Sequence, residues 1–319
     1  MADIGTDIGK AASILRSGGL VGIPTETVYG LAGDATDDQA VSRIFLVKAR
    51  PVFDPLIVHV AGIDALDRFA LEIPPRLADL MEQHWPGPLT VLLPRRKNIP
   101  DLVTSGLDRA GFRCPAHPLT QELLRGIDFP LAAPSANPFG YVSPTTANHV
   151  DRQLGERIPY ILDGGACRVG LESTIVGWEE DGVVIHRLGG LPVEEIERIT
   201  GRVRIHSHSS SNPTAPGQLQ SHYAPLKKVL FGPLRDLAEQ AKRSGTRFAL
   251  LGFQSDHGIE GSACTRILSP AGTTEEAARN LFGHLRDLDE SEADIILTEP
   301  VPQTGLGPAI NDRLRRASA

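Results

Sequence analysis

HSHSSSNPTAPGQLQSHYAPL, residues 206–226, holds five serines and three prolines and not one Asp, Glu, Lys or Arg. That is linker composition, too poor in apolar side chains to build a core and punctuated by turn formers. It divides the 319-residue chain into residues 1–205, a linker 206–226 and residues 227–319, and 41% hydrophobic content is enough to give both flanking parts a core. The 32 glycines and 25 prolines predict many turns. A net charge of −7 excludes holding a polyphosphate backbone by bulk electrostatics. The part before the linker has 20 basic and 26 acidic residues and the part after it 12 and 13, so neither is a basic module. Cys114, Cys167 and Cys264 form no C-x-x-C pair, which argues against a disulfide framework or a thiolate zinc site and for a reducing cytoplasm. The start, MADIGTDIGK, lacks the features of a signal peptide, and no apolar run approaches the ~18 residues of a membrane span, so a cytoplasmic location is expected.

After the linker, strand Lys228–Phe231, helix Pro233–Ser244, strand Phe248–Gly252, helix Thr274–Leu288, strand Ile295–Thr298 and helix Pro308–Ala317 alternate. Alternation of this kind predicts a small parallel α/β sheet with helical crossovers, Rossmann-like in class, although no G-x-G-x-x-G follows its first strand. The first part is less regular. Short strands at Leu20–Ile23, Leu56–Val60, Leu89–Leu93, Tyr160–Leu162, Thr174–Val176 and Val183–Arg187 lie among helices and Pro/Gly turns, predicting an α+β domain with a twisted mixed sheet. Asp37 or Asp38 is placed to cap a helix with apolar face Ala40, Val41, Ile44, Phe45 and Val47, stopped by Pro51.

No Walker A loop, H-E-x-x-H, G-x-S-x-G or kinase signature is present. Four polar clusters stand out at strand or helix ends. Pro24-Thr25-Glu26-Thr27-Val28-Tyr29-Gly30 sets two hydroxyls and a carboxylate at a strand's C-terminal end, where α/β sheets bind ligands; it also reads as a plain hydroxyl-rich turn. Lys48-Ala49-Arg50-Pro51 reads equally as cations complementing a helix dipole or as a phosphate clamp. His59, in the alternating run Leu56–Val60, is either a half-buried structural histidine or a ligand. Ala132-Ala133-Pro134-Ser135-Ala136-Asn137-Pro138, followed by Ser143-Pro144-Thr145, offers short rigid hydrogen-bonding groups or an Asx turn. Last, Asp163-Gly164-Gly165 and Gly170-Leu171-Glu172-Ser173-Thr174-Ile175-Val176 join flexible turns to hydroxyls entering a strand, and Arg187 closes the next strand. Metal binding by His206, His208 and His222 of the linker is not indicated, since no acidic or cysteine partner lies in that segment.

In order, PTETVYGL, KARP and PLIVH, WPGPLT, FRCPAHP, APSAN and SPTTA, DGG and GLESTIV, RLGG, APGQLQSHYAP and GLGPAINDRLRRAS resemble the YrdC-like family of L-threonylcarbamoyladenylate synthases, in its long form with an additional C-terminal domain. The resemblance runs from about Ile14 to the end. It implies that ATP, L-threonine and bicarbonate give threonylcarbamoyl-AMP, pyrophosphate and water. A downstream tRNA threonylcarbamoyl transferase then uses the product for threonylcarbamoyladenosine modification of tRNA. It implies Thr25, His59, Arg113, Ser135 and Ser173 around the threonine, and Lys48, Arg50, Asn137, Thr145 and Arg187 around ATP. Lys48 and Arg50 are the expected phosphate clamp, Tyr223 is expected over the closed site, and Mg2+ is expected to accompany ATP.

Three positions depart from the family pattern. Asp54 stands where Asn is usual, putting a carboxylate beside phosphates unless a metal or Arg intervenes; Arg109 stands for a hydroxyl residue and Phe139 for a serine. Two rivals follow from the same resemblance. An RNA-binding module is disfavoured by the −7 charge, which makes direct tRNA binding weak or absent, and a carbamoyl-transfer domain usually comes with zinc-finger and acylphosphatase segments that are not visible here.

Overall fold

The computed structural model describes residues 1–180, 182–206 and 223–319. Most of the 206–226 linker, with His208 and His222, lies outside the described residues. Those described fall into two units: residues 1–139, 144–168 and 172–206 in the first, and residues 140–143, 169–171 and 223–319 in the second.

The first unit is built on eleven strands: β1 (Asp3–Gly5), β2 (Val21–Ile23), β3 (Gly30–Asp34), β4 (Ile57–His59), β5 (Leu89–Pro94), β6 (Arg109–Arg113), β7 (Leu131–Ala132), β8 (Tyr160–Leu162), β9 (Thr174–Glu179), β10 (Gly182–Arg187) and β11 (Arg204–Ile205). Their order in the sheet is β1-β8-β2-β3-β7-β4-β6-β5-β9-β10-β11. The sheet is mixed, as expected, with β4 parallel to β6 and β5 antiparallel to it. Four strands were not anticipated from sequence, β1, β3, β6 and β11, whereas the small-residue run from Ala132 reads as a buried strand and does form the end of β7. Most of those four are three residues or shorter or rich in Gly and Arg, and become strands through their neighbours rather than through propensity. Register positions the site: His59 pairs with Arg113 across β4 and β6, Thr90 with Arg113 across β5 and β6, and Thr90 with Ile175 across β5 and β9. Residues level on neighbouring strands share a face, so these side chains gather on one side of the sheet.

The helix Asp38–Lys48 starts where Asp37 Oδ1 accepts from Gln39 N at 2.9 Å and ends at Ala49, whose φ of 51° breaks the helical path before Pro51. Its buried residues are Ala40, Val41, Ile44, Phe45 and Lys48, with Val47 only half-buried. Lys48 lies four residues after Ile44, one helical turn on along the same inward stripe, so the lysine takes the place expected of Val47.

In the second unit β12 (Lys228–Phe231), β13 (Phe248–Gly252), β14 (Cys264–Ile267) and β15 (Ile295–Thr298) form a wholly parallel sheet in the order β12-β15-β13-β14. Helices Leu234–Arg243, Thr274–Asp289 and Gly307–Ala317 accompany it. The parallel α/β expectation holds. The Rossmann-like part of it does not carry over: the first strand sits at one edge, the last runs between it and the second, and no helix separates β13 from β14. Strand β14 escaped notice because CTRI is half-exposed along its length and has no apolar alternation. Among the described residues, no helix is long and apolar enough to cross a membrane.

Candidate active site

The turn after β2 folds around one hydroxyl. Thr25 Oγ1 donates to Val28 O at 2.6 Å, accepts from Thr27 N and Val28 N at 3.1 and 3.2 Å, and lies 2.8 Å from Thr27 Oγ1. The turn thereby presents Glu26 inward. Its Oε2 accepts from Ala116 N at 2.8 Å and its Oε1 from Arg113 Nη2 at 2.6 Å, an ion pair almost wholly buried on both sides. Thr25 and Glu26 line a cavity of about 350 Å³ with Ala116, His117, Pro118, Ala166 and Arg168. Among the described residues nothing accepts a hydrogen bond from Arg113 Nε, although that atom is buried. Glycine is required at 164, where a Cβ would stand 2.3 Å from the His117 ring.

His59, beside Arg113, is buried, and desolvation followed by the arginine's charge pushes its imidazole down to about 3. It is therefore neutral near pH 7, with Nδ1 3.2 Å from Ile57 O. On the next strands Thr90 Oγ1 lies 2.7 Å from Ser173 Oγ. Arg187 donates to the same serine, from Nη2 to Oγ at 3.1 Å and from Nε and Nη2 to its carbonyl at 3.1 and 2.9 Å. Thr25, His59, Arg113, Ser173 and Arg187 are thus linked through Glu26 and Thr90. Cys167 supplies no nucleophile: burial, then the Glu26 charge, raises its thiol to about 12.

A second group forms around the helix end at Lys48. Lys48 is fully buried and Nζ donates to Ser135 O and Asn137 O at 2.5 Å each. Burial first, and Arg50 second, hold its ammonium well below the usual lysine range. Arg50 donates from Nε to Asp54 O at 2.9 Å and from Nη2 to Pro55 O at 2.7 Å, and pairs with the Asp54 carboxylate at 2.9 Å. So an arginine does intervene at the departure Asp54, and Phe139, another departure, has its ring 5.8 Å from the same guanidinium. Ser135, placed by the resemblance with threonine, meets this lysine through its carbonyl. Asn137 Nδ2 donates to Pro138 O at 2.8 Å, and Thr145 N donates to His149 Nδ1 at 3.3 Å. Tyr29 ties these loops together, its N donating to Pro144 O and its O accepting from Ala136 N, both at 2.8 Å.

Tyr223 belongs to the second unit. Its ring is buried, 5.8 Å from that of Phe282, with the Arg313 guanidinium 4.7 Å from its centroid. Sequence reasoning quoted Glu26 only as a turn carboxylate and passed over Thr90, His117 and Arg168. WPGPLT, FRCPAHP and the basic residue after Cys167 contained the signals, but only the register shows that they converge.

Two family models cover the chain. The one for Sua5, YciO and YrdC proteins, described as "Telomere recombination", matches residues 13–189, and that for the threonylcarbamoyl-AMP synthase C-terminal domain matches residues 191–319. The threonylcarbamoyl-AMP synthase of Pyrococcus abyssi is 42% identical over 97% of this chain and 93% of its own, and that of Schizosaccharomyces pombe 37% over 97% and 88%. The crystal structure of P. abyssi Sua5 complexed with L-threonine matches with a TM-score of 0.93 at 40% identity, covering 99% of this chain and 97% of that one. Escherichia coli YciO, at 23% identity and a TM-score of 0.53 over 59% of this chain, shares the fold.

Proposed function

We infer the reaction from the premise that this chain belongs to the Sua5/YciO/YrdC family, in the two-domain form of the threonylcarbamoyl-AMP synthases. It is an enzyme of that activity, a nucleotidyl transferase that makes threonylcarbamoyl-AMP. The P. abyssi relative was crystallised with L-threonine, which supports threonine as the substrate here.

The observation that carries the site assignment is the buried Arg113 guanidinium, whose Nη2 is taken by Glu26 and whose Nε has no acceptor among the described residues. A buried donor without a partner costs about 1–3 kcal/mol, and an amino-acid carboxylate would relieve that cost. The neighbouring cavity of about 350 Å³ lies at the small end of the usual range of about 300–1,000 Å³, a fit for threonine rather than for a nucleotide. Thr25, His59 and Ser173 complete this proposed subsite, with Glu26 and Thr90 positioning the arginine and the serine. Neutral His59 offers a hydrogen bond without adding a second cation.

ATP is proposed to meet Asn137, Thr145 and Arg187. Lys48, spent on the carbonyls of Ser135 and Asn137, shapes the loop that receives it, and Arg50 braces the turn beyond. Mg2+ is proposed to arrive on the phosphates of ATP and would neutralise their charge. Asp54, the carboxylate beside this pair, is engaged with Arg50 and offers no cluster of oxygens to hold the ion alone. The threonine amine and bicarbonate condense to a carbamate with loss of water. A carbamate oxygen then attacks the α-phosphorus and pyrophosphate leaves. No protein nucleophile is needed, only positioning and charge neutralisation. Cytoplasmic residence agrees with three unbridged cysteines, and a tRNA threonylcarbamoyl transferase would consume the product. The test is pyrophosphate release from ATP with threonine and bicarbonate omitted in turn. Release should require both; equal release without threonine overturns the assignment.

A further inference from the structure

We propose that Glu179, His186 and His206 form a site for a zinc-class divalent transition-metal ion at the β9–β10–β11 edge of the first unit. The ligand atoms of these residues all lie within 4.8 Å of one another. His186 Nε2 stands 3.4 Å from Glu179 Oε1, and His206 Nε2 stands 3.2 Å from Glu179 Oε2. Ligands at 2.0–2.2 Å from a tetrahedral ion are roughly 3.4 Å apart, so two of the three pairs already have the spacing that an ion imposes. The third closes by turning His206, whose side chain is 46% exposed, out of the stack in which its ring centroid lies 5.0 Å from that of His186.

The sheet is shaped to aim His186 at this point. The β9–β10 register shifts between Ile185 and Arg187, so His186 is the extra residue of a bulge, a device that re-aims a side chain. Across from it, β9 carries Gly177, where a Cβ would lie 2.8 Å from His186 Nε2. His206 is held by its own backbone, its N donating to Ile185 O at 2.9 Å. Two imidazoles and one carboxylate select zinc, copper or nickel over Mg2+ or Ca2+, which require more oxygens. The charge of Arg109 opposes a cation here, and Arg204 is occupied with Glu180 at 3.1 Å. With three protein ligands and open positions, the ion would clip the end of β11 to β10 and β9.

The test uses the full chain stripped by a chelator and titrated with Zn2+ against a chromophoric competitor, with Co2+ absorption as a second readout. One equivalent should bind, and His206→Ala and Glu179→Gln should each weaken it at least tenfold and bleach the Co2+ bands. Exposed His206 is the primary variant because its loss spares the core, and His257→Gln, from a surface His–Glu pair of the second unit, should change nothing. No binding by the parent chain, equal binding by all variants, or equal competition by Mg2+ would each overturn the site.

Discussion

Arg50–Asp54 and Arg113–Glu26 are chemically the same pair, and both are buried, yet they are built for different tasks. The first is local, four residues apart, and its arginine also donates to two carbonyls of the same turn, Asp54 O and Pro55 O. The second joins residues 87 apart; its glutamate lines a cavity, and its arginine keeps one N–H without an acceptor among the described residues. On the proposed assignment Arg50 braces its own turn, where the two carbonyls it donates to lie. Arg113, with a buried Nε that no described atom answers, is on the same proposal the receptor for the substrate. Burial and charge alone do not separate the two pairs; the partners around each arginine do.

Arg113→Met should break the comparison most. It strands Glu26 in the interior, where losing one partner of a buried pair costs about 3–5 kcal/mol, and it removes charge-assisted bonds worth about 1.5–3 kcal/mol each to the substrate. Threonine KM should rise on the order of tenfold to hundredfold or beyond, with the KM for ATP nearly unchanged in the fraction that folds. Equal rises in both would make Arg113 a brace of the Arg50 kind. Lys48→Met comes next: Ser135 O and Asn137 O lose their donor, at about 1–3 kcal/mol each, partly offset because a buried ammonium no longer needs desolvating. Urea unfolding should show the loss, and KM for ATP, not threonine, should climb.

Asp54→Asn should be milder. Asn can still accept from Arg50, and the arginine's two carbonyl bonds remain, so activity should stay within about threefold while the melting temperature falls. A tenfold loss of activity at unchanged stability would move Asp54 into the chemistry.

Acid should expose a smaller difference. His59 is held at about 3 when folded and would titrate near 6.5 unfolded. Between those values the unfolded chain binds a proton that the native one refuses. The contribution is therefore fully present above about pH 6.5 and is lost as pH falls toward 3, at no more than about 1.36 kcal/mol per unit. His186, held at about 4, adds to the same slope. Urea unfolding from pH 7.5 to 5 should show stability falling, and His59→Gln should flatten the fall; an unaltered slope would deny His59 its neutral form.

These pairs also mark how far the sequence could be read. Thr25, Ser173 and Arg187 stand out in the sequence because each sits in a motif at a strand end, Arg113 enters only through the resemblance, and the parallel sheet of the second unit is legible because its strands alternate with helices. Glu26 and Thr90 were visible as letters but not as partners, because pairing depends on register across β4, β6, β5 and β9. Lys48 reads from sequence as a helix-end cation or, with Arg50, a phosphate clamp; its burial on the stripe it shares with Ile44 is not legible there. His206 was dismissed as a ligand for want of an acidic neighbour in its own segment; the neighbour, Glu179, comes from 27 residues upstream.

A third buried guanidinium sharpens the comparison with the smallest expected effect. Arg313 is fully buried in the second unit, paired with Asp312 at 2.6 Å and set over the face of Tyr223 at 4.7 Å. The tyrosine reaches it from a left-handed backbone conformation, φ 64°, uncommon for a non-glycine residue. These contacts support a role for Tyr223 in fastening the chain where it enters the second unit, beside the expected cover over ATP. Tyr223→Phe keeps the ring, so the stack on Phe282 and the cation contact should survive with little change. Tyr223→Leu removes both, worth about 0.5–1.5 kcal/mol for the stack and about 0.5–2 kcal/mol for the cation. Hydrogen exchange should show that loss as weaker protection of β12 and β13, with β4 to β6 unaffected. On the fastening role alone, the KM for ATP should stay level in both variants. A rise in both at unchanged protection would favour the cover over ATP that the resemblance implies, and Arg313 would then be a guanidinium that holds a ring in readiness rather than one that locks it in place.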